Sequence, residues 1–138
     1  MSDYFTLNIY TPGGVVVRGL KCESLIIPTV TGVINVLPGH THILGQLSTG
    51  VMTAVTGMGH RHFSCTAGLV KVLKNEITVL SYTTEKAEDI DIERAKSAKA
   101  KAESRLHSKE MLSNPEYIKF QRKLERAVTR IQLAKMKH

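Results

Sequence analysis

Two rows of cations are the residues of this chain best placed to do chemistry. Arg122, Arg126 and Arg130 stand four apart, and Arg94, Lys101 and Arg105 are spaced by seven and four. On a helix each spacing gathers its row on one side. Like charges at i and i+4 repel, by about 0.2–0.5 kcal/mol per pair. Two readings stay open. The rows are a solvated face partly neutralised by Glu93, Glu103 and Glu125, or they hold an anion between them. Arginine suits the second task because its planar fork meets phosphate oxygens two at a time.

Other constellations carry less. His40 with His42, and His60 with His62, form two His-x-His pairs. On a strand such pairs share a face, and four histidines suffice for zinc. Neither pair has a cysteine or acid beside it and Pro38-Gly39 puts the first in a turn, so they read as polar loop histidines and no metal site is expected. Asp89 and Asp91 form a carboxylate pair just before a helical stretch, the usual place for a cap. There is no G-x-S-x-G, no P-loop and no cysteine with a matched histidine pattern. The expectation is a protein that is not an enzyme.

The elements that must position these residues change character midway. Phe5, Leu7 and Ile9 alternate with Thr6, Asn8 and Tyr10, the period of a half-buried strand. A turn at 11–14 leads to Val15–Val17, and further β-rich runs follow at 23–28, 32–37, 51–56, 62–66, 68–73 and 76–81, with Asn75-Glu76 as a tight connection. Many short strands between Gly, Pro and Asn argue for a sandwich or barrel. From 88 to 109 there is neither Gly nor Pro, and Ala, Lys, Glu and Arg dominate, as in a helix. Ser113-Asn114-Pro115-Glu116 reads as a break and restart, with a polar cap, a proline at the first helical position and an acid near the positive helix end. The second helix carries an apolar stripe of Tyr117, Phe120, Leu124, Ala127, Ile131 and Ala134; the matching stripe of the first is Ala95, Ala98, Ala102 and Leu106. The fold expected is an N-terminal antiparallel β-sandwich (1–85) followed by a two-helix hairpin (86–138), marginally stable by itself.

Charge follows the same division. Residues 1–85 carry five Lys/Arg against four Asp/Glu, and 86–138 carry fourteen against eight. A nearly neutral body with a basic tail implies a polyanionic partner: nucleotide, nucleic acid or an acidic protein surface. A nucleic-acid module should interleave aromatics with its cations for stacking. Only Tyr117 and Phe120 qualify and both lie on the packing stripe, so this is the alternative rather than the expectation. No run of 18 apolar residues and no secretory signal is visible, and Cys22 and Cys65 read as reduced and buried, which fits a cytosolic compartment.

Two stretches together resemble a known family. "GVINVLPGHTHILGQLSTG" (32–50) resembles the "LPGHAPLL…G" signature of the ε subunit of the bacterial F-type ATP synthase. "IDIERA" (90–95) is similar to the I-D-x-x-R-A nucleotide motif in the first C-terminal helix of that family. The resemblance spans the chain, from the β-rich half through a polar linker and an Ala-rich helix to "RAVTRIQLAKMK".

The resemblance implies a non-catalytic rotor subunit of the central stalk. Its sandwich would dock on γ and on the c-ring, and its helices would be a regulatory arm that inhibits ATP hydrolysis when extended toward the α and β subunits. Membrane attachment would come only through the complex, at the cytoplasmic face of the bacterial inner membrane. No cofactor would be required, but some members bind regulatory ATP on the folded hairpin. Carried over, that site falls on Glu85, Ile90, Asp91, Arg94, Ala95, Lys101, Arg126 and Arg130. Lys101 stands where ATP-binding members have arginine, which keeps the charge and loses the bidentate fork. Val33, where some members carry an acid facing the c-ring, together with His40 and His42, falls at the implied subunit interface.

Overall fold

The structure, a computed structural model, describes residues 4–39, 42–108 and 112–136. The chain forms two compact units, Met1–Lys86 and Ala87–His138. The first is built of nine strands: β1 (Phe5–Thr11), β2 (Gly14–Cys22), β3 (Ser24–Thr29), β4 (Gly32–Val36), β5 (Ile43–Leu47), β6 (Gly50–Thr56), β7 (Gly59–Cys65), β8 (Gly68–Leu73) and β9 (Glu76–Ser81). Hydrogen bonding runs β2-β1-β9-β8-β5-β3-β6-β7, with β4 beside β3. The path creases where β3 meets β5, because only Thr29 and Leu47 pair there. Beyond the crease the strands face back over the rest, so Leu7, Ile9, Val70 and Val79 share one core with Leu25, Ile27, Met52 and Phe63.

The expected sandwich is therefore present, with one departure from an antiparallel pattern: β1 and β9 run parallel, Leu7 opposite Ile77 and Ile9 opposite Val79. Parallel neighbours need a long connection, and here seven strands provide it. The strand absent from the sequence reading is β5. Its central Gly45 breaks the pattern of a strand, yet a side chain there would meet Val70 Cγ1 at 3.4 Å, so the gap is filled by the neighbouring valine. Asn8, expected to point outward, is buried. The β1–β2 register shifts between Leu7 and Ile9, and Asn8 Oδ1 accepts the Gly19 N–H at 2.9 Å. Gly19 can adopt the left-handed φ of 71° that this bulge requires. The tight connection near residue 75 is Lys74-Asn75 rather than Asn75-Glu76, since Glu76 already pairs with Leu73 in the ladder.

Both cysteines are free and buried, and burial pushes their thiols up, Cys22 to about 11 and Cys65 to about 12. Such thiols are protonated and inert at neutral pH.

The second unit opens with a single 3-10 turn, Ala87–Asp89, followed by α1 (Ile92–Leu106) and α2 (Asn114–Ala134). Ser113 caps α2, so the helix starts at Asn114 and Pro115 stands at its second position rather than the first. The seam of α1 differs from the expected stripe. Ala95 and Ala102 are buried, but Ala98 is exposed and Lys99 is half-buried in its place. At about 100° per residue, position 99 lies closer than 98 to the line through 95, 102 and 106. A lysine is tolerated there because its stem packs while its ammonium reaches Glu103 at 3.8 Å. On α2 Tyr117 is exposed rather than on the stripe, and Thr129 and Leu133, outside it, are buried.

Among the glycines of the sandwich, Gly68 has the least room for a side chain. A Cβ there would lie against the Leu80 carbonyl oxygen, far inside contact distance, where β8 begins its antiparallel pairing with β9 and Gly68 stands opposite Ser81. Gly68→Ala should lower unfolding stability by about 2–3 kcal/mol, as overpacking does. Urea denaturation of the purified chain reads this, and an unchanged midpoint would contradict the packing.

Candidate functional site

The residues carried over from the nucleotide motif do several different jobs. Asp91 is the N-cap of α1: its Oδ1 accepts the Arg94 N–H at 3.1 Å. The other carboxylate oxygen is not needed for that bond. Ile90 and Ala95 are buried and anchor the start of the helix, while Arg94 is exposed. The motif is thus a cap and two packing residues that fix one outward guanidinium at a helix start. Lys101 and Arg126 are exposed and Arg130 is half-buried. Glu85 belongs to the first unit, where its backbone N–H donates to Ser64 Oγ and its carbonyl accepts the Ser64 N–H, both at 2.9 Å.

The closed end of the hairpin fixes which residues stand level with one another. Arg105 Nη2 lies 3.7 Å from Glu116 Oε2, and its guanidinium sits 5.1 Å from the centre of the Phe120 ring. Lys119 and Lys123 lie against the same ring at 5.8 and 5.4 Å. Arg105 therefore ties α1 to α2 instead of completing a basic row with Arg94 and Lys101. Counting away from this tie at about 1.5 Å per residue, Arg94 comes level with the Arg126–Arg130 turn, and Lys101 comes level with Arg122. The predicted cations thus fall on two levels about 10 Å apart along the hairpin. The sequence shows the spacing within each helix, but only the tie shows the pairing between them.

Of the expected interface residues, Val33 is 70% exposed on β4 and His42 is exposed; His40 lies outside the described residues. His60 is exposed on β7, whereas His62 is buried with its Nδ1 2.9 Å from Thr53 Oγ1. Among the described residues no three metal-ligating side chains converge.

Sequence reasoning missed two further surfaces. Val30, Leu37 and Leu44 are exposed near Val33 in sequence. On the outer sheet face, Tyr10 pairs with Val15 and Leu80, and Leu80 pairs with Leu69, giving an apolar row across four strands. The row could have been found from apolar residues on the polar phase of each strand once the pairing was known. A shallow cavity of about 410 Å³ at the β8–β9 turn is lined by Lys71, Lys74, Glu76 and Thr78 and holds none of the expected site residues.

Comparison with known proteins bears on both units. The family model of the ATP synthase delta/epsilon chain β-sandwich domain matches residues 4–87, and that of its long α-helix domain matches 88–135. The chain belongs to the ATP synthase delta/epsilon chain family. Among its relatives are the ATP synthase epsilon chains of Staphylococcus aureus strains JH9 and Newman, each 35% identical over 131 residues, 95% of this chain and 96% of theirs. A chain in the mitochondrial ATP synthase of Euglena gracilis (OSCP/F1/c-ring) shares the fold at a TM-score of 0.79 and 19% identity, covering 91% of this chain and 78% of that one. One from the central stalk and c-ring of the Tetrahymena thermophila enzyme matches at 0.53 and 12%, covering 94% and 92%. Family membership makes this a non-catalytic, accessory chain of the central stalk of the membrane-bound ATP synthase. Among its described residues no helix is long and apolar enough to cross a membrane.

The geometry at the closed end carries a pH prediction. Hydrogen bonds from Ser113, then the charges of Arg105 and Lys119, hold the Glu116 carboxyl below its ordinary 4.5. A lowered folded-state pKa stabilises the hairpin fully above the ordinary value, and the contribution is lost as pH falls through the lowered one. A side-chain NMR titration should place Glu116 below ordinary glutamates, and Ser113→Ala should move it back up. A midpoint unmoved by the substitution would contradict the capping box.

Proposed function

We propose that the first unit couples γ to the c-ring and that the second is a movable brake on ATP hydrolysis, released when nucleotide binds the closed hairpin. The observation that carries the brake is the thin seam of α1: Ala95 and Ala102 are its buried residues, set in a helix crowded with lysine and arginine. Burial of such small side chains contributes little at roughly 25 cal/mol per Å², so the closed form is poised rather than locked. The apolar row of Val15, Tyr10, Leu80 and Leu69 supports docking of the first unit on γ, because exposed apolar patches mark interaction sites. Val33 and the segment holding His40 and His42 are assigned to the polar loops of the c-ring. The complex would hold the chain at the cytoplasmic face of the bacterial inner membrane, with the opened arm meeting the α and β subunits.

For the nucleotide, Arg126 and Arg130 take phosphate oxygens, Arg94 stands level with them, and the second oxygen of Asp91 is free for a ligand hydroxyl. Lys101 completes the set on the hairpin, on the farther level and so a weaker contributor. A ligand that binds only the closed hairpin stabilises it by about 1.4 kcal/mol for each tenfold of concentration above Kd.

A chain ending at Lys86 should still assemble with γ while the complex loses inhibition of ATP hydrolysis. Inhibition as strong as with the full chain would reject the brake. Calorimetry of the isolated chain with Mg-free ATP should give saturable heat at millimolar ATP or below, and Arg126→Ala with Arg130→Ala should weaken binding by at least about tenfold, the loss of charge-assisted hydrogen bonds. No heat from the unaltered chain would reject the nucleotide site and leave the brake standing.

A further inference from the structure

Beside the apolar row on the outer sheet face, the same strands build a small basic cavity. Three cross-strand pairs follow one another on that face of β8 and β9: Leu69 with Leu80, Lys71 with Thr78, and Leu73 with Glu76. Pairs on one face repeat every two residues, so about 7 Å separates each from the next. The first pair belongs to the row. The other two, with Lys74 and Asn75 of the turn, line the cavity of about 410 Å³. That volume has room for a carboxylate side chain and water.

The walls are set by bonds within the sheet. The Asn75 carbonyl accepts the Thr6 N–H at 2.9 Å, which pins the turn to β1. Glu76, the one acid of the lining, accepts from Asn8 Nδ2 at 3.5 Å through Oε1, so its carboxylate is drawn toward β1. Lys71 and Lys74 are exposed, and among the described residues neither is in an ion pair. Lys74 carries a second, independent signal. Its φ of 58° is left-handed, and among the described residues it is the one position other than glycine with a positive φ. Glycine or asparagine meets that geometry more readily. A lysine there carries a backbone cost, and backbone strain of this kind gathers at sites that bind.

We propose that this cavity receives an acidic side chain of γ, an aspartate or glutamate whose carboxylate lies between Lys71 and Lys74 with the Thr78 hydroxyl as a further donor. This rests on the reading that the apolar row docks on γ. Covering the row strips water from its neighbours, and two ammonium groups against one carboxylate leave the cavity positive. A charge covered without a partner is costly, and a carboxylate supplied by the docking surface removes that cost. The row and the cavity then divide the work. Apolar contact supplies area without fixing direction, whereas a charge pair fixes register and rejects the wrong partner. The surface of γ that fits carries an acid about 7 Å from the apolar side chain covering Leu69 and Leu80.

Carbodiimide coupling tests this on the full chain bound to an assembly of α, β and γ. The reagent joins a lysine Nζ to a carboxylate in contact with it: an amide C–N bond forms, and one carboxylate oxygen and two ammonium protons leave on the reagent as a urea. Mass spectrometry should find Lys71 or Lys74 joined to an aspartate or glutamate of γ. Lys71→Gln with Lys74→Gln should abolish that link and weaken binding to the assembly by about tenfold or more. Binding by the doubly substituted chain should also depend less on salt, since the screened part of the attraction is gone. No link from either lysine to γ, or an affinity unchanged by the double substitution, would overturn the proposal. Leu80→Ser reads the row separately. Weakened binding there, with the lysine variant binding as the unaltered chain does, rejects the cavity alone; undiminished binding by Leu80→Ser rejects the row as the docking face. Lys71, Lys74 and Leu80 are all exposed, so the variants should fold, and their urea midpoints check this.

Discussion

The second unit depends on how little its two helices can bury in each other. Ala95 and Ala102 are the buried side chains of α1, and beside them the seam accommodates a lysine stem. A seam of methyl groups cannot by itself hold two helices that bear fourteen cations against eight acids from residue 86 onward. Closure leans on the ends instead: Asp91 capping α1, and Ser113, Glu116, Arg105 and Phe120 drawn together where the chain turns back. The sandwich has the opposite character, with large aliphatic and aromatic side chains fully buried from every strand region of its core. Contrasting local stabilities of this kind let one part of a molecule open while another remains intact.

The family motif looks different once its residues have been given their structural tasks. Ile90 and Ala95 are packing residues and Asp91 is a cap, so half of a stretch that looks like a ligand signature is needed to start a helix. Replacing Asp91 with alanine would therefore remove a cap as well as a candidate ligand contact, and loss of binding alone could not assign it to either. Arg94 and Arg126 are cleaner probes, because both side chains are exposed.

Legibility in the sequence followed the range of the interaction. Strands with strict alternation, such as Phe5-Leu7-Ile9, and helix ends marked by Asp91 or Ser113 are local signals, and both were readable. Strand β5 was not, because Gly45 erases the alternation and is explained only by Val70, a neighbour distant in sequence. The parallel β1–β9 pair and the buried Asn8 likewise depend on partners far along the chain. Ala98 against Lys99 turned on one residue of helical phase, and alanine content pointed the wrong way. At the candidate site the cation spacings were plain, yet the level of each cation came from Arg105 meeting Glu116 and Phe120.

The two-level arrangement of cations has a consequence for how a ligand could act on the arm. A polyanion seated beside Arg94, Arg126 and Arg130 relieves repulsion on one level and leaves Lys101 facing the level of Arg122 with its repulsion intact. The stabilisation per binding event is then only part of what a fully matched site would give. To carry an arm from almost entirely open to almost entirely closed, a ligand must prefer the closed form by about 10⁴-fold, or 5.5 kcal/mol. A site in which one cation is a lysine set apart falls short of that more readily than one with three clustered arginines. Such a ligand would bias the arm in proportion to its concentration instead of switching it outright. If the arm moves as proposed, the energetic gap between its two states must be small for the bias to matter, and a seam built from alanine would keep it small.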